Sequence, residues 1–226
     1  MESINLLSYW GHVLFGVFAY GAGITALCVT KGSPKHVLAG RIFAIGMIVA
    51  ALTSLVFALE RPLPLLFVQA AAVLYLVPSA ILALRDERAY AKPLQGVLLL
   101  IPLTICGFVT VRAVQVAGEV ALLPMVGRIL VATVFGGLAA QDLRWMILRR
   151  SNGNDPIRRH LSRMILAFAF ASMAVLREAV PFGLPFPVTV VLPLMVAIPL
   201  ILHYDRRLRH TGTPDAADDR SLAPQV

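Results

Sequence analysis

Three histidines come closest, by type and placement, to residues that could do chemistry. His36 stands in GSPKHVLAGRIF, His160 in PIRRHLSRM and His203 in LILHYDRRL. A neutral imidazole ligates haem iron, zinc or copper, and a helix bundle can bring two such rings together across its core. His36 and Gly40 are four residues apart, as are His12 and Gly16, which on a helix means one face. A glycine there lets a second helix or a flat ligand approach beside the ring. The fourth residue after His160 is Met164, either a soft metal ligand or ordinary packing. Arg41 and Arg163 are cations that would pair an acidic group on a cofactor. A purely structural histidine also belongs at the headgroup level of a bilayer, and both readings stay open at this stage.

A second polar group comprises His12, Glu60, Arg128, Arg177 and Glu178. Arg128 is the one to watch. In a helix starting near Ala121 it is about 10 Å deep at 1.5 Å per residue and needs a partner such as Glu60, Glu178 or a bound anion. If Pro124 opens the helix, Arg128 is one turn in and can snorkel. No nucleophile–base pair, phosphate-binding glycine loop or paired intramembrane carboxylates can be read, so no catalytic group is assigned.

The elements that must position these residues are apolar helices. The chain has 226 residues, 58% of them hydrophobic and 14% charged, with a mean hydropathy of +0.80. A soluble domain carries about 25% charged residues. The apolar residues fall in long blocks, near residues 10–30, 37–59, 63–84, 94–117, 121–143, 161–180 and 184–204, each about the length that crosses a bilayer as a helix. β-barrel strands are half that length and alternate. The fold class is therefore an all-α polytopic transmembrane bundle of seven spans, one domain over residues 1–210. The sixth run is the shortest without a charge. Arg163 and Arg177 must reach outward from its ends, and a six-span drawing would lay it at the interface.

Charge placement favours seven. Sixteen of the twenty Lys and Arg fall in or beside the odd-numbered loops and the tail: Lys31, Lys35 and Arg41; Arg85, Arg88 and Lys92; Arg144, Arg149, Arg150, Arg158, Arg159 and Arg163; Arg206, Arg207, Arg209 and Arg220. Only Arg61, Arg112, Arg128 and Arg177 fall on the other side. Cytoplasmic loops hold such excesses, so the N-terminus is expected outside and the C-terminus in the cytoplasm of a bacterial inner-membrane protein. His36, His160 and His203 then share the cytoplasmic depth, with His12 opposite. The net charge of +8 reads as topology signal and contact with anionic lipids. Nucleic acid is excluded as a partner, since no aromatic interleaving or recognisable module accompanies the basic residues.

The N-terminal sixteen residues lack the basic region and cleavage site of a signal peptide. Cys28 and Cys106 lie in apolar runs and are expected to be free thiols. Residues 211–226 are polar and read as a disordered cytoplasmic tail. Pro62, Pro64 and PFGLPFP mark outer turns, while Pro78, Pro102, Pro193 and Pro199 fall within spans as kinks. Gly16, Gly21, Gly23, Gly40, Gly136 and Gly137 are expected to allow close helix contact.

The pieces WGHVLFG, KGSPKHVLAGRIF with Met47, and HLSRM followed by AVLRE resemble a family of bacterial predicted membrane proteins classed as a domain of unknown function. Its members carry His–x–x–x–Gly in the first span, a Lys–Gly turn into a His–x–x–x–Gly–Arg second span, and a late His before Met. The resemblance implies correspondence for His12, Gly16, Lys31, Gly32, His36, Gly40, Arg41, His160 and Met164, with Ser33 where a second glycine is frequent. The family brings no activity with it.

Three functions fit. One is a redox protein holding haem b or a transition metal on His36 and His160, with His203 as a substitute ligand and a quinone or other small molecule as partner. The second is a small transporter whose outer vestibule is lined by His12, Arg128 and Glu178, although GRIFAIG and GRILVAT share too little for an inverted repeat. The third is a non-catalytic membrane scaffold.

Overall fold

The computed structural model describes residues 2–58, 64–85, 88–148, 155–178 and 185–210. Glu60 and the tail lie outside them. The described residues form helices and turns with no strand. The helices are α1 (Glu2–Cys28), α2 (Pro34–Ala58), α3 (Pro64–Ala83), α4 (Ala91–Leu98), α5 (Leu100–Gln115), α6 (Leu122–Leu148), α7 (Asp155–Glu178) and α8 (Phe186–His210). The first three, α4 with α5, and the last three make seven segments long and apolar enough to cross a membrane. Only a helix satisfies every backbone group inside its own segment in such a setting. The break between α4 and α5 falls at Leu99, three residues before Pro102. Pro102 has no N–H to give the Leu98 carbonyl, and its ring crowds that same turn.

The hydrogen bonds fix how the helices run. His36 early in α2 meets Ala26 late in α1, and His160 early in α7 meets Ala80 late in α3. Asp142 late in α6 meets Arg159 and Arg163 early in α7, while Arg158 pairs with Asp205 late in α8. One end of the bundle therefore gathers the turns that hold most of the Lys and Arg; it is called the basic end below.

The core is centred on α3, of whose apolar segment 67% is buried inside the bundle, against 11% for α1. Tyr75, Leu76 and Val77 of α3, Phe135 of α6, Met173 of α7 and Leu194 of α8 are enclosed. α1 packs mainly along α2 and turns Leu14, Val17 and Phe18 outward, as a lipid-facing helix would.

Glycines play two parts, and here the expectation of uniform close packing is corrected. At Gly46, a Cβ would stand 2.9 Å from Ala19 Cβ and 3.0 Å from the Phe15 carbonyl oxygen, so α1 and α2 touch there through backbone. At Gly23 it would meet the rings of Phe168 and Phe43. Beside Gly16, Gly21, Gly40 and Gly137 a Cβ would meet nothing within 4 Å. Gly46→Ala is expected to cost about 1–3 kcal/mol by overpacking. Gly137→Ala should be neutral or stabilising by up to about 1 kcal/mol through helix propensity. Thermal unfolding of the two variants in one detergent checks the contrast, and equal effects would refute it.

Two further corrections concern α7. The helix begins at Asp155, six residues before the apolar run, and it is among the segments able to span. Arg163 does not reach outward: its side chain is 0% exposed inside the bundle. A helix that starts earlier carries this residue two turns into the bundle, on a face that meets α6.

Candidate functional site

The turn KGSPKH closes α1 and opens α2 by local rules. Gly32 takes φ +78°, the left-handed conformation that ends a helix and favours glycine. Lys31 Nζ donates to the Ala26 and Leu27 carbonyl oxygens at 2.9 and 2.7 Å, two of the carbonyls left over at a helix C-terminus. The Ser33 hydroxyl accepts from His36 N–H at 3.2 Å and so N-caps α2, and Pro34 fills the first helical position. Gly32→Ala forces a side chain into the left-handed region, with an expected cost of about 1–2 kcal/mol. The loss should appear as a lower thermal midpoint with an unchanged helical spectrum.

Three histidines use one device on three helix pairs. His36 Nδ1 lies 3.0 Å from the Ala26 carbonyl oxygen, His160 Nδ1 is 3.0 Å from that of Ala80, and His12 Nδ1 is 2.8 Å from that of Ala50. A carbonyl only accepts, so each Nδ1 carries the proton and donates it. The Nε2 of His36 and of His160 is thereby left with its lone pair, the arrangement that presents imidazole to iron or another metal. The bonds also tie α1 to α2 at both ends and α3 to α7 at the basic end.

His36 of α2 and His160 of α7 are both half-buried, and each bonds a helix-end carbonyl at the basic end. Gly40 leaves open space on the His36 face. Met164 is packed against the hydrophobic core. His203 is exposed and stands edge-on to Tyr204, ring centroids 5.7 Å apart. Arg41 is exposed on α2.

Of the other polar group, Glu60 lies outside the described residues. His12 is occupied by Ala50. Arg128 is half-buried and donates to the Pro124 carbonyl oxygen of its own helix at 3.2 Å, one turn back. Arg177 is half-buried near the end of α7, and Glu178 is the last residue of that helix.

A charged cluster that the sequence reading missed lies beside the histidines. Asp142 of α6 is 0% exposed and takes four donors. Arg163 Nη2 and Arg159 Nη2 donate to Oδ1, the latter at 3.1 Å. Tyr75 Oη and Gln95 Nε2 donate to Oδ2 at 2.6 and 2.7 Å. The Arg159 guanidinium lies over the Trp145 ring, 4.1 Å from its centroid, a favourable cation–π contact. One carboxylate thus ties α3, α4, α6 and α7. Arg163 Nε and Gln95 Oε1 are buried in the same place without a hydrogen bond among the described residues. The only signal in the sequence was an acid near the end of an apolar run, in LAAQDLRW. Asp142 fell at the end of the run that closes at residue 143, where an acid reads as an ordinary interfacial charge.

Cys28 and Cys106 are free thiols. Among the described residues no three His, Cys, Asp or Glu side chains come together as metal donors. No family model, curated protein or solved structure matches the chain, so the likeness to the uncharacterised membrane family rests on its motifs alone.

Proposed function

We propose that this is a multi-pass inner-membrane redox protein that binds haem b between His36 and His160, with its basic end in the cytoplasm. The observation that carries the reading is the pair of imidazoles from two helices, each with Nδ1–H held by a neighbouring carbonyl and Nε2 left to ligate. A haem supplies four nitrogens itself and asks the protein for one or two axial ligands. A bare zinc ion asks for three or four, and the described residues offer no such trio. The open space beside Gly40 suits a flat macrocycle, and Arg41 at the helix surface suits its acidic groups. The carboxylate of Asp142 is saturated by four donors, which favours a fixed structural charge over a group that loads and releases ions as a transporter requires.

Purification in mild detergent after expression with a haem precursor tests this reading. A Soret band that shifts on reduction with dithionite is expected, with about one haem per chain on the two-ligand stoichiometry. A colourless protein with no bound metal would overturn it and turn attention to flux assays centred on Arg128.

A further inference from the structure

The α7 helix has a third face that the histidines and the charged cluster leave unused. A cavity of about 250 Å³ lies between α6, α7 and α8, lined by Gln141, Arg158, Leu161, Ser162, Ile201, Leu202 and Asp205. At about 100° per residue, Arg158, Leu161 and Ser162 form one stripe of α7 and His160 points to the opposite side. The cavity and the His160 ring are thus separated by one helix, roughly 10–12 Å across.

We propose that this cavity takes the head of an isoprenoid quinol, which reduces the haem held by His160 across α7; the proposal rests on the haem reading above. Four features of the lining select such a ligand. The cavity has room for a substituted six-membered ring and lies just below the usual range of ligand-site volumes, so only the head of the ligand would enter it. Its aliphatic wall of Leu161, Ile201 and Leu202 suits the ring faces. Leu202 is 50% exposed, so the rim opens on the apolar outer surface of the bundle, where an isoprenoid tail would run. Its polar end sets two carboxylates against one guanidinium, because Arg158 Nε is bonded to Asp205 Oδ1 and Nη1 to Asp155 Oδ1 at 2.9 Å. A phosphate headgroup would meet those two carboxylates, whereas a neutral quinone needs only a donor to its carbonyl oxygens.

Arg158 lines the cavity and its bonds to the two carboxylates use Nε and Nη1; Nη2 is the donor assigned to the quinone. The Ser162 hydroxyl proton is given to the Arg159 carbonyl oxygen at 3.1 Å, which leaves its lone pairs to accept from a quinol O–H. Oxidation of one quinol to quinone breaks two O–H bonds. The two electrons leave singly and reduce two ferric haems, one in each of two copies of the chain, to ferrous. The two protons are accepted by the Asp205 carboxylate in turn and pass to water at the basic end.

Two measurements test this on full-length protein in nanodiscs. In the first, a short-chain quinol is mixed anaerobically with ferric, haem-loaded protein and reduction is followed by absorbance. Leu161→Trp, which fills the cavity, is expected to slow reduction at least about tenfold while leaving the haem spectrum and dithionite reduction unchanged. Ile201→Phe is the second filling variant should the first lower the thermal midpoint. In the second, equilibrium dialysis measures binding of a short-chain quinone to haem-free protein, expected to be saturable and lost in the filled variants. Quinone binding by a protein that never takes up haem would keep the cavity assignment and overturn the electron route. Haem present, with quinone binding absent or indifferent to both variants, would overturn the cavity assignment alone. So would native mass spectrometry that finds an anionic phospholipid, and not quinone, displaced by Leu161→Trp.

Discussion

Asp142→Ala is expected to be the most destabilising single substitution at the basic end, by about 3–5 kcal/mol. It removes the one carboxylate from between two guanidiniums, of which Arg163 is 0% exposed and Arg159 is 6% exposed. The loss is one of charge compensation first and of hydrogen bonds second, since the Tyr75 hydroxyl and the Gln95 amide also lose their acceptor. The order of a short series tests that cause. Arg163→Met leaves Arg159 and Asp142 as a one-to-one pair and should cost clearly less than Asp142→Ala. Asp142→Asn combined with Arg163→Met should recover part of the loss, because neighbours in one network are not additive. In that variant Gln95 can turn its Oε1, which lacks a hydrogen bond among the described residues, toward the new amide. Thermal unfolding in detergent by fluorescence-detected chromatography measures the series. If Asp142→Ala costs no more than an ordinary surface change, the cluster does not hold the helices.

The second large effect is on the cofactor. His36→Ala and His160→Ala should each abolish the bis-imidazole spectrum, since six-coordinate haem needs both rings. His12→Ala and His203→Ala, at the far end and on the exposed face of α8 respectively, should leave it intact. His36→Ala also removes a hydrogen bond from His36 to the α1 C-terminus, with an expected cost of about 0.6–2 kcal/mol, so a lost spectrum could reflect a loosened helix end. Added imidazole separates the two causes: it should restore the band in His36→Ala by filling the vacated axial position. A full six-coordinate spectrum in either single variant would exclude that histidine as a ligand. Retention in both, with loss in His203→Ala, would move the site to α8.

Length and hydropathy run along one dimension of the chain, and what they determine was legible without the structure. The seven apolar runs correspond to the seven segments able to cross a membrane, because a span is defined by local composition and a rise of 1.5 Å per residue. Pro102 within the fourth run correctly marked a weak point, since its missing N–H is a local property. Depth was legible in the same way, and it put His36 and His160 at one end.

Azimuth was not legible. Counting charges assigned Arg163 to a loop. Two turns into α7, the direction in which its side chain points depends on which helix lies alongside, and that helix brings Asp142 from 21 residues away. Tyr75 and Gln95 reach the same carboxylate from 67 and 47 residues away, separations at which no local pattern connects them. Glycine spacing equally failed to tell Gly46, where two backbones touch, from Gly40, beside which there is open space. The nearly even hydrophobicity around α1, α2 and α6 is the physical reason there, while α7 does carry a polar stripe and turns part of it inward to Asp142. In a soluble helix the polar stripe announces which side faces out; where lipid and core are both apolar, only packing between helices selects the inward face. The chain by itself therefore determined the seven segments able to cross a membrane and the end at which His36 and His160 lie, and the tertiary structure alone decided which residues meet.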